Sequence, residues 1–200
     1  MPMPVIGLTG GLATGKSLIT DYLKSKGIHV IDADQLSRDV VQNGQPALKE
    51  IVQGFGKTIL HKDGSLNREK LAHLIFEKPE KRKELEAIIH PRVYEAAWKD
   101  IHRIQGQDPD ALIIFSVPLL FETGHEKEVD KVIVVYADES IQFERLQKRN
   151  GFTQEESRKR ISAQLPIEEK KNAADFLIHN TGSIQEALQQ VDELLPTLRF

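Results

Sequence analysis

A chain of 200 residues with 27 Lys and Arg against 30 Asp and Glu has a formal charge of -3. That balance excludes a broadly basic nucleic-acid surface, while a local anion site stays compatible with it. With no cysteine there is no disulfide, thiolate nucleophile or cysteine metal site, and the length suits one principal core, with room for an insertion. The opening MPMPVIGLTGG has neither a basic leader nor the apolar stretch of a secretion signal, and no run is long enough to span a bilayer. A cytoplasmic protein with no membrane or nucleic-acid partner is expected.

In chain order, VIGLT at 5–9 predicts a buried strand whose glycine permits close packing. SLITDYLKSKG then places Leu18, Tyr22 and Lys26 on one helical track and Ile19 and Leu23 on its neighbour, with Gly27 as a stop. HVIDA at 29–33 predicts a second strand, running into the acidic pair Asp32 and Asp34. The runs ALIIF at 111–115, KVIVV at 131–135 and DFLIH at 175–179 predict further covered strands between helical patterns. The expected class is α/β, with a mainly parallel five-stranded sheet flanked by helices.

The stretch 37–104 is longer than a crossover between strands needs. Leu71, Leu74 and Ile75 share one helical face, and Leu85, Ile88 and Ile89 share another. Pro91 is expected to separate that second helix from the pattern Val93, Ala97 and Ile101. Together they read as a helical insertion beside the sheet. The charged runs EKPEKRKE and EEKK read as solvated helix faces with local ion pairs.

The strongest chemical signal is GLTGGLATGKSL, where Gly10, Gly15, Lys16 and Ser17 complete the Gly-x-x-x-x-Gly-Lys-Ser pattern between a strand and a helix. Backbone N–H groups there can converge on phosphate oxygens, helped by the positive end of the helix. Lys16 supplies charge against the transferring phosphate, and Ser17 supplies a hydroxyl ligand for magnesium. The usual GTPase signatures are missing. Arg145, Arg149, Arg158 and Arg160 fall on a predicted helix-turn-helix, with a turn at Asn150 and Gly151 and a capping box from Thr153 to Glu156. Closing over a polyphosphate is their expected use, because guanidinium groups offer paired donors.

The two aspartates follow the second strand, where carboxylates approach ligands bound at the strand ends. One can accept a proton from an acceptor hydroxyl while the other orients magnesium or a phosphate-bound water. Asp34 is equally placed to cap the helix QLSRDVV, and Asp32 to serve the backbone. Asn180 suits an Asx turn before the last helix as well as an approach to adenine. His90 and Pro91 suit a helical cap followed by a helix-breaking turn, and Glu122 suits simple solvation. The seven histidines show neither metal-ligand spacing nor a nucleophile relay.

Taken together, GLTGGLATGKS, VIDADQLSRDVV, FGKTILHKDGSLNREKLAHLIF, LEAIIHPRV, VPLLFE, VIVVYADESIQFERLQKR, RISAQ and KNAADFLIHNTGS resemble, in order and over nearly the whole chain, the dephospho-CoA kinase family. The resemblance implies a single P-loop kinase domain over 1–200, with an acceptor-binding helical insertion near 37–104 and a lid near 139–165. It implies transfer of the terminal phosphoryl group of ATP, with Mg2+, to the 3'-hydroxyl of dephospho-CoA, forming CoA and ADP. Asp34 matches the family's proposed catalytic base, and Asp32 the supporting acid near the metal. Lys16 and Arg149 are the other expected catalytic groups. ATP is expected along Gly10, Gly11, Leu12, Ala13, Thr14, Gly15, Lys16, Ser17 and Leu18, with Arg145, Arg149 and Asn180, while His90 and Pro91 resemble the acceptor-side pair. The loop departs from the commoner GGIGSGKST at Ala13, Thr14 and Leu18, and Ala13 matters if its backbone needs a positive φ. The oligomeric state is not legible. Phosphorylation of another small alcohol or nucleoside, and an ATP-responsive regulatory module, are the alternative functions.

Overall fold

The computed structural model describes residues 4–198, apart from the side chains at 76 and 77. Its sheet contains β1 (Val5–Gly10), β2 (His29–Asp32), β3 (Ile113–Ser116), β4 (Lys131–Tyr136) and β5 (Phe176–His179) in the order β2-β3-β1-β4-β5. Every pairing is parallel. The expected five strands are present, and the sheet among the described residues is wholly parallel. β1 sits at its centre with strands on both sides, so the loop leaving its C-terminal end opens where ligands bind in such sheets.

The chain divides into two compact units, Ala33–Asp100 and the rest of the described residues. In the sheet unit, Ile6 and Leu8, Ile133 and Val135, Ile114 and Ile178 project from alternate strand positions into one buried cluster. Ile19 and Leu23 of α1 (Lys16–Ser25) and Ala187 and Val191 of α9 (Ile184–Leu194) complete it. The helical track predicted from Ile19 and Leu23 is therefore the packed one. Its stop is at Gly27, whose φ of 78° suits glycine.

The second unit holds α2 (Ala33–Asp39), α3 (Pro46–Phe55), α4 (Arg68–Glu77) and most of α5 (Pro79–Gln107). Its core gathers Val41, Ala47, Ile51, Phe55, Ile59, Leu71 and Leu85, with Leu74, Ile75, Ile88 and Ile89 packed against them. Both predicted apolar faces are in that core.

Pro91 corrects the expectation of two separate helices, because it lies inside α5. Proline removes one backbone donor and crowds the preceding turn, at a cost of about 3 kcal/mol or more. Leu85 precedes it, and Val93, Ala97, Ile101 and Ile104 follow it, all buried. Burying such a series contributes about 1.5–3 kcal/mol per large side chain, which outweighs one lost bond. Arg92 also donates through Nη1 to the Ile88 carbonyl at 2.7 Å, one residue beyond the Ala87 carbonyl that Pro91 leaves without its helical donor. No helix among the described residues is long and apolar enough to cross a membrane.

After β4 come α6 (Glu139–Asn150), α7 (Gln154–Ile161) and α8 (Ile167–Asn172). Gly151 turns the chain at φ 67°, and Thr153 with Glu156 forms the predicted capping box.

Candidate active site

The chain leaves β1 at Gly10 and enters α1 at Lys16 through a turn built on close backbone approaches. A side chain at Gly10 would place its Cβ 2.6 Å from Thr14 Oγ1 and 2.7 Å from the Val135 carbonyl. Gly15 has φ 96°, and a Cβ there would fall 2.1 Å from Asn180 Nδ2. Both positions therefore require glycine. Ala13 is the exception, a non-glycine residue at φ 60°. Inside the turn, Thr14 donates to the Gly11 carbonyl through its N–H at 3.3 Å and through Oγ1 at 3.0 Å.

No side chain caps α1, and no acidic residue occupies its first turn. Its first N–H groups are therefore available to an anion. The loop's carbonyl side is held from behind. Asn180, buried after β5, donates Nδ2 to the Thr14 carbonyl at 2.7 Å. Arg145 of α6 donates to the Asn180 carbonyl at 2.8 Å and reaches the Ala13 and Thr14 carbonyls at 3.4 Å each. With that carbonyl tied back, the trans peptide after Thr14 directs the Gly15 N–H the opposite way.

Lys16 Nζ donates to Ser116 Oγ at 2.7 Å. Ser116 ends β3, fully buried, in register with Leu8 on one side and Asp32 on the other. The register thus brings the ends of β1, β2 and β3 together beside the loop. Ser17 lies exposed in the first turn of α1. Among the described residues, no group of three or more His, Cys, Asp or Glu gathers to hold a metal. Magnesium in nucleotide sites needs only one or two protein ligands beside phosphate and water oxygens. A loop with no room for side chains at Gly10 and Gly15, and with a bare helix start, fits a polyphosphate carrying that ion.

The other expected residues are distributed differently. Asp32 closes β2, and α2 begins at the next residue, so the strand alternation that would align the two acids is broken. Asp34 lies exposed within the first turn of α2, which corrects its reading as an N-cap. It belongs to the Ala33–Asp100 unit, as do His90 and Pro91 in the middle of α5. His90 and Pro91 are therefore helix interior, not the expected cap and turn. Arg149 is exposed near the end of α6, its Nε donating to Asn150 Oδ1 at 2.9 Å. Arg160 stacks over the Phe152 ring at 4.3 Å.

One charged residue overturns its sequence reading, and a second, exposed as expected, gains a partner. Lys170, in the run taken as a solvated face, is fully buried, and Glu122 pairs with it at 2.8 Å. Lys170 also donates to the Pro118 carbonyl at 3.0 Å and makes a long contact, 3.5 Å, to the Gly10 carbonyl. Burial pushes the lysine pKa down while Glu122 opposes that shift. Nearby, the Tyr136 phenol lies 2.5 Å from Glu168 Oε1 and 2.8 Å from Asp138 Oδ1. The Glu168 hydrogen bond, then burial and Asp138, push its pKa well above the usual phenol value.

The dephospho-CoA kinase family model matches residues 4–186. The chain belongs to the dephospho-CoA kinase family. It is 43% identical to the dephospho-CoA kinase of Shouchella clausii over 192 residues, covering 95% of this chain and 96% of that one. It is likewise 43% identical to the dephospho-CoA kinase of Geobacillus kaustophilus, over 95% of this chain and 94% of that one. Among solved structures, the dephospho-CoA kinase from Campylobacter jejuni superposes with a TM-score of 0.74 at 26% identity, covering 98% of this chain and 96% of that one. A shikimate kinase from Bacteroides thetaiotaomicron, at 14% identity and a TM-score of 0.52 over 97% of this chain and 99% of that one, shares the fold alone.

Within this family member, three residues near the loop had little sequence signal. Ser116 is a small polar residue ending an apolar strand. Gln142 sits buried on α6, its Oε1 against Gly11 and its Nε2 donating to the Ala137 carbonyl at 2.9 Å. Lys170 follows the buried Ile167 by three positions, one helical neighbour away. That spacing was its only visible mark.

Proposed function

We infer that the chain is an ATP-dependent dephospho-CoA kinase, transferring the γ-phosphoryl group of ATP to the 3'-hydroxyl of dephospho-CoA in the final step of CoA synthesis. The observation that carries this reading is the family match across residues 4–186, supported by a loop whose Gly10 and Gly15 leave no space for side chains. ATP lies along 10–18, its phosphates against the N–H groups of the loop and of the first turn of α1. Lys16 leaves Ser116 for the transferring phosphate and stabilises charge on its oxygens. Arg145 keeps the loop's carbonyls turned away. Arg149 and the other arginines of 139–165 close from the lid, excluding water from the reacting phosphate.

The Ala33–Asp100 unit presents dephospho-CoA, with His90 and Pro91 on its acceptor side. Asp34 accepts or orients the 3'-hydroxyl proton. The acceptor oxygen bonds to the γ-phosphorus as the bond to the bridging oxygen of ADP breaks, within one ternary complex. Ser17 and Asp32 are the residues that would hold the magnesium. When bound, that ion neutralises charge on the β- and γ-phosphates. Asn180 supports the loop beside the adenine end.

A metal-supplemented panel of acceptors with ATP, read by mass spectrometry with the phosphate position resolved, tests the assignment. Dephospho-CoA is expected to be converted to CoA ahead of other nucleosides and small alcohols. Failure to form the 3'-phosphorylated product, with folding and ATP binding intact, overturns it.

A further inference from the structure

An ammonium group offers three donors and is costly to bury unless each finds an acceptor. Lys170 Nζ has three acceptors: Glu122 Oε1, the Pro118 carbonyl and, at longer range, the Gly10 carbonyl. Pro118 and Glu122 lie on the segment that follows β3, and Gly10 ends β1 where the phosphate loop begins, so Lys170 joins two segments at the C-terminal end of the sheet. The Gly10 carbonyl belongs to the first peptide of the phosphate loop. Because that peptide is trans, a carbonyl held toward Lys170 turns the Gly11 N–H away from it.

The Pro118 carbonyl receives a second donor, Thr9 Oγ1 at 3.1 Å, and Val117 N–H donates to the Leu8 carbonyl at 2.9 Å. Lys170 thus pins the segment that begins at Ser116, the residue that receives Lys16. Glu122 Oε1 also accepts the Leu165 N–H at 2.9 Å, fastening the chain that leaves α7. Only the lysine of this pair is buried, and ion pairs taken out of water are poor stabilisers that well-packed apolar replacements often match or exceed. What this pair supplies is a fixed arrangement of three loops.

We propose that Lys170 is a positioning residue for phosphoryl transfer: paired with Glu122, it sets the peptide joining Gly10 to Gly11 and the segment carrying Ser116, where the ammonium of Lys16 rests before nucleotide arrives. The proposal rests on the kinase reading and deepens it. Lys170 touches no reacting atom.

The test compares the parent chain with the double variant Lys170→Met, Glu122→Gln, which removes both charges and leaves no unpaired charge at the buried position. Steady-state rates with ATP, Mg2+ and dephospho-CoA are measured beside the amide shifts of Gly11 and Gly15 on adding ATP and Mg2+. The expected result is a kcat lowered by about tenfold to a hundredfold, the scale of small misplacements at a reacting centre, with KM for dephospho-CoA little changed. The Gly11 amide response should collapse while that of Gly15, set by Asn180, persists. A kcat within about twofold of the parent and an unchanged Gly11 response would reduce the pair to a structural role and overturn the proposal. If the double variant does not fold, Lys170→Arg decides by the same two readouts, a partial loss in both supporting the proposal and no change in either overturning it. A parent chain inactive with dephospho-CoA would refute the acceptor assignment, while the amide comparison still decides the role of Lys170.

Discussion

Ala13 holds the left-handed conformation that side chains resist, at φ 60°. An L-residue there costs about 1–2 kcal/mol, part of which glycine would return as lost chain entropy. Ala13→Gly should therefore raise the denaturation midpoint by the equivalent of about 0.5–1 kcal/mol, with the denaturant slope unchanged. A fall in the midpoint would show that the turn does not strain Ala13. The sequence flagged Ala13 as a departure, but only the backbone angle shows it to be a costly one. Asp34 is exposed in the first turn of its helix, so Asp34→Asn should preserve folding. As the proposed base, it should lower kcat by about a hundredfold to ten-thousandfold. Near-native turnover would remove Asp34 from that role.

At the scale of elements, local rules read correctly where local chemistry decides. Thr153 and Glu156 close their capping box through Thr153 Oγ1, which accepts the Glu156 N–H at 3.2 Å, and Glu156 Oε2, which accepts the Thr153 N–H at 2.8 Å. Holding that carboxylate against the Thr153 N–H keeps the Glu156 pKa below its usual value. Thr153→Ala should lower stability by about 1 kcal/mol, measured by denaturant titration; an unchanged midpoint would mean that α7 frays without cost. The same rules misread α5. A proline ordinarily ends a helix, yet Pro91 is carried through because buried apolar residues continue on both sides at helical spacing. In the α8 run EEKK, Glu168 and Glu169 are exposed and Lys171 pairs with Glu168 as expected, but Lys170 was misread for the converse reason. Charge argues for solvent, but Lys170 shares the buried side of its helix with Ile167 and meets a carboxylate from a distant loop.

For the whole molecule, nucleotide binding should couple to unfolding, since the proposed phosphate site exists only when β1, α1, α6 and the loop after β5 are assembled. ATP with Mg2+ at about a hundred times its Kd should add about 2.7 kcal/mol to stability and raise Tm. Lys16→Ala should abolish most of that rise at equal ligand concentration. An unchanged shift in the variant would place the nucleotide elsewhere. Two cores, one under the sheet and one among α3, α4 and α5, were both visible as apolar periodicities, because a buried face imposes its period on the residues that form it.

By itself the sequence determined the five strands, the Gly-x-x-x-x-Gly-Lys-Ser loop between β1 and α1, the helix faces and the family resemblance, since each is written in residues close together along the chain. The tertiary structure decided the strand order, the register that sets Ser116 between Leu8 and Asp32, and the side chains that hold the loop from behind. Asn180, Arg145 and Lys170 reach the loop from more than a hundred positions away along the chain, and local spacing carries no record of such meetings. They depend on how strands pair and on which polar groups must find partners once water is excluded.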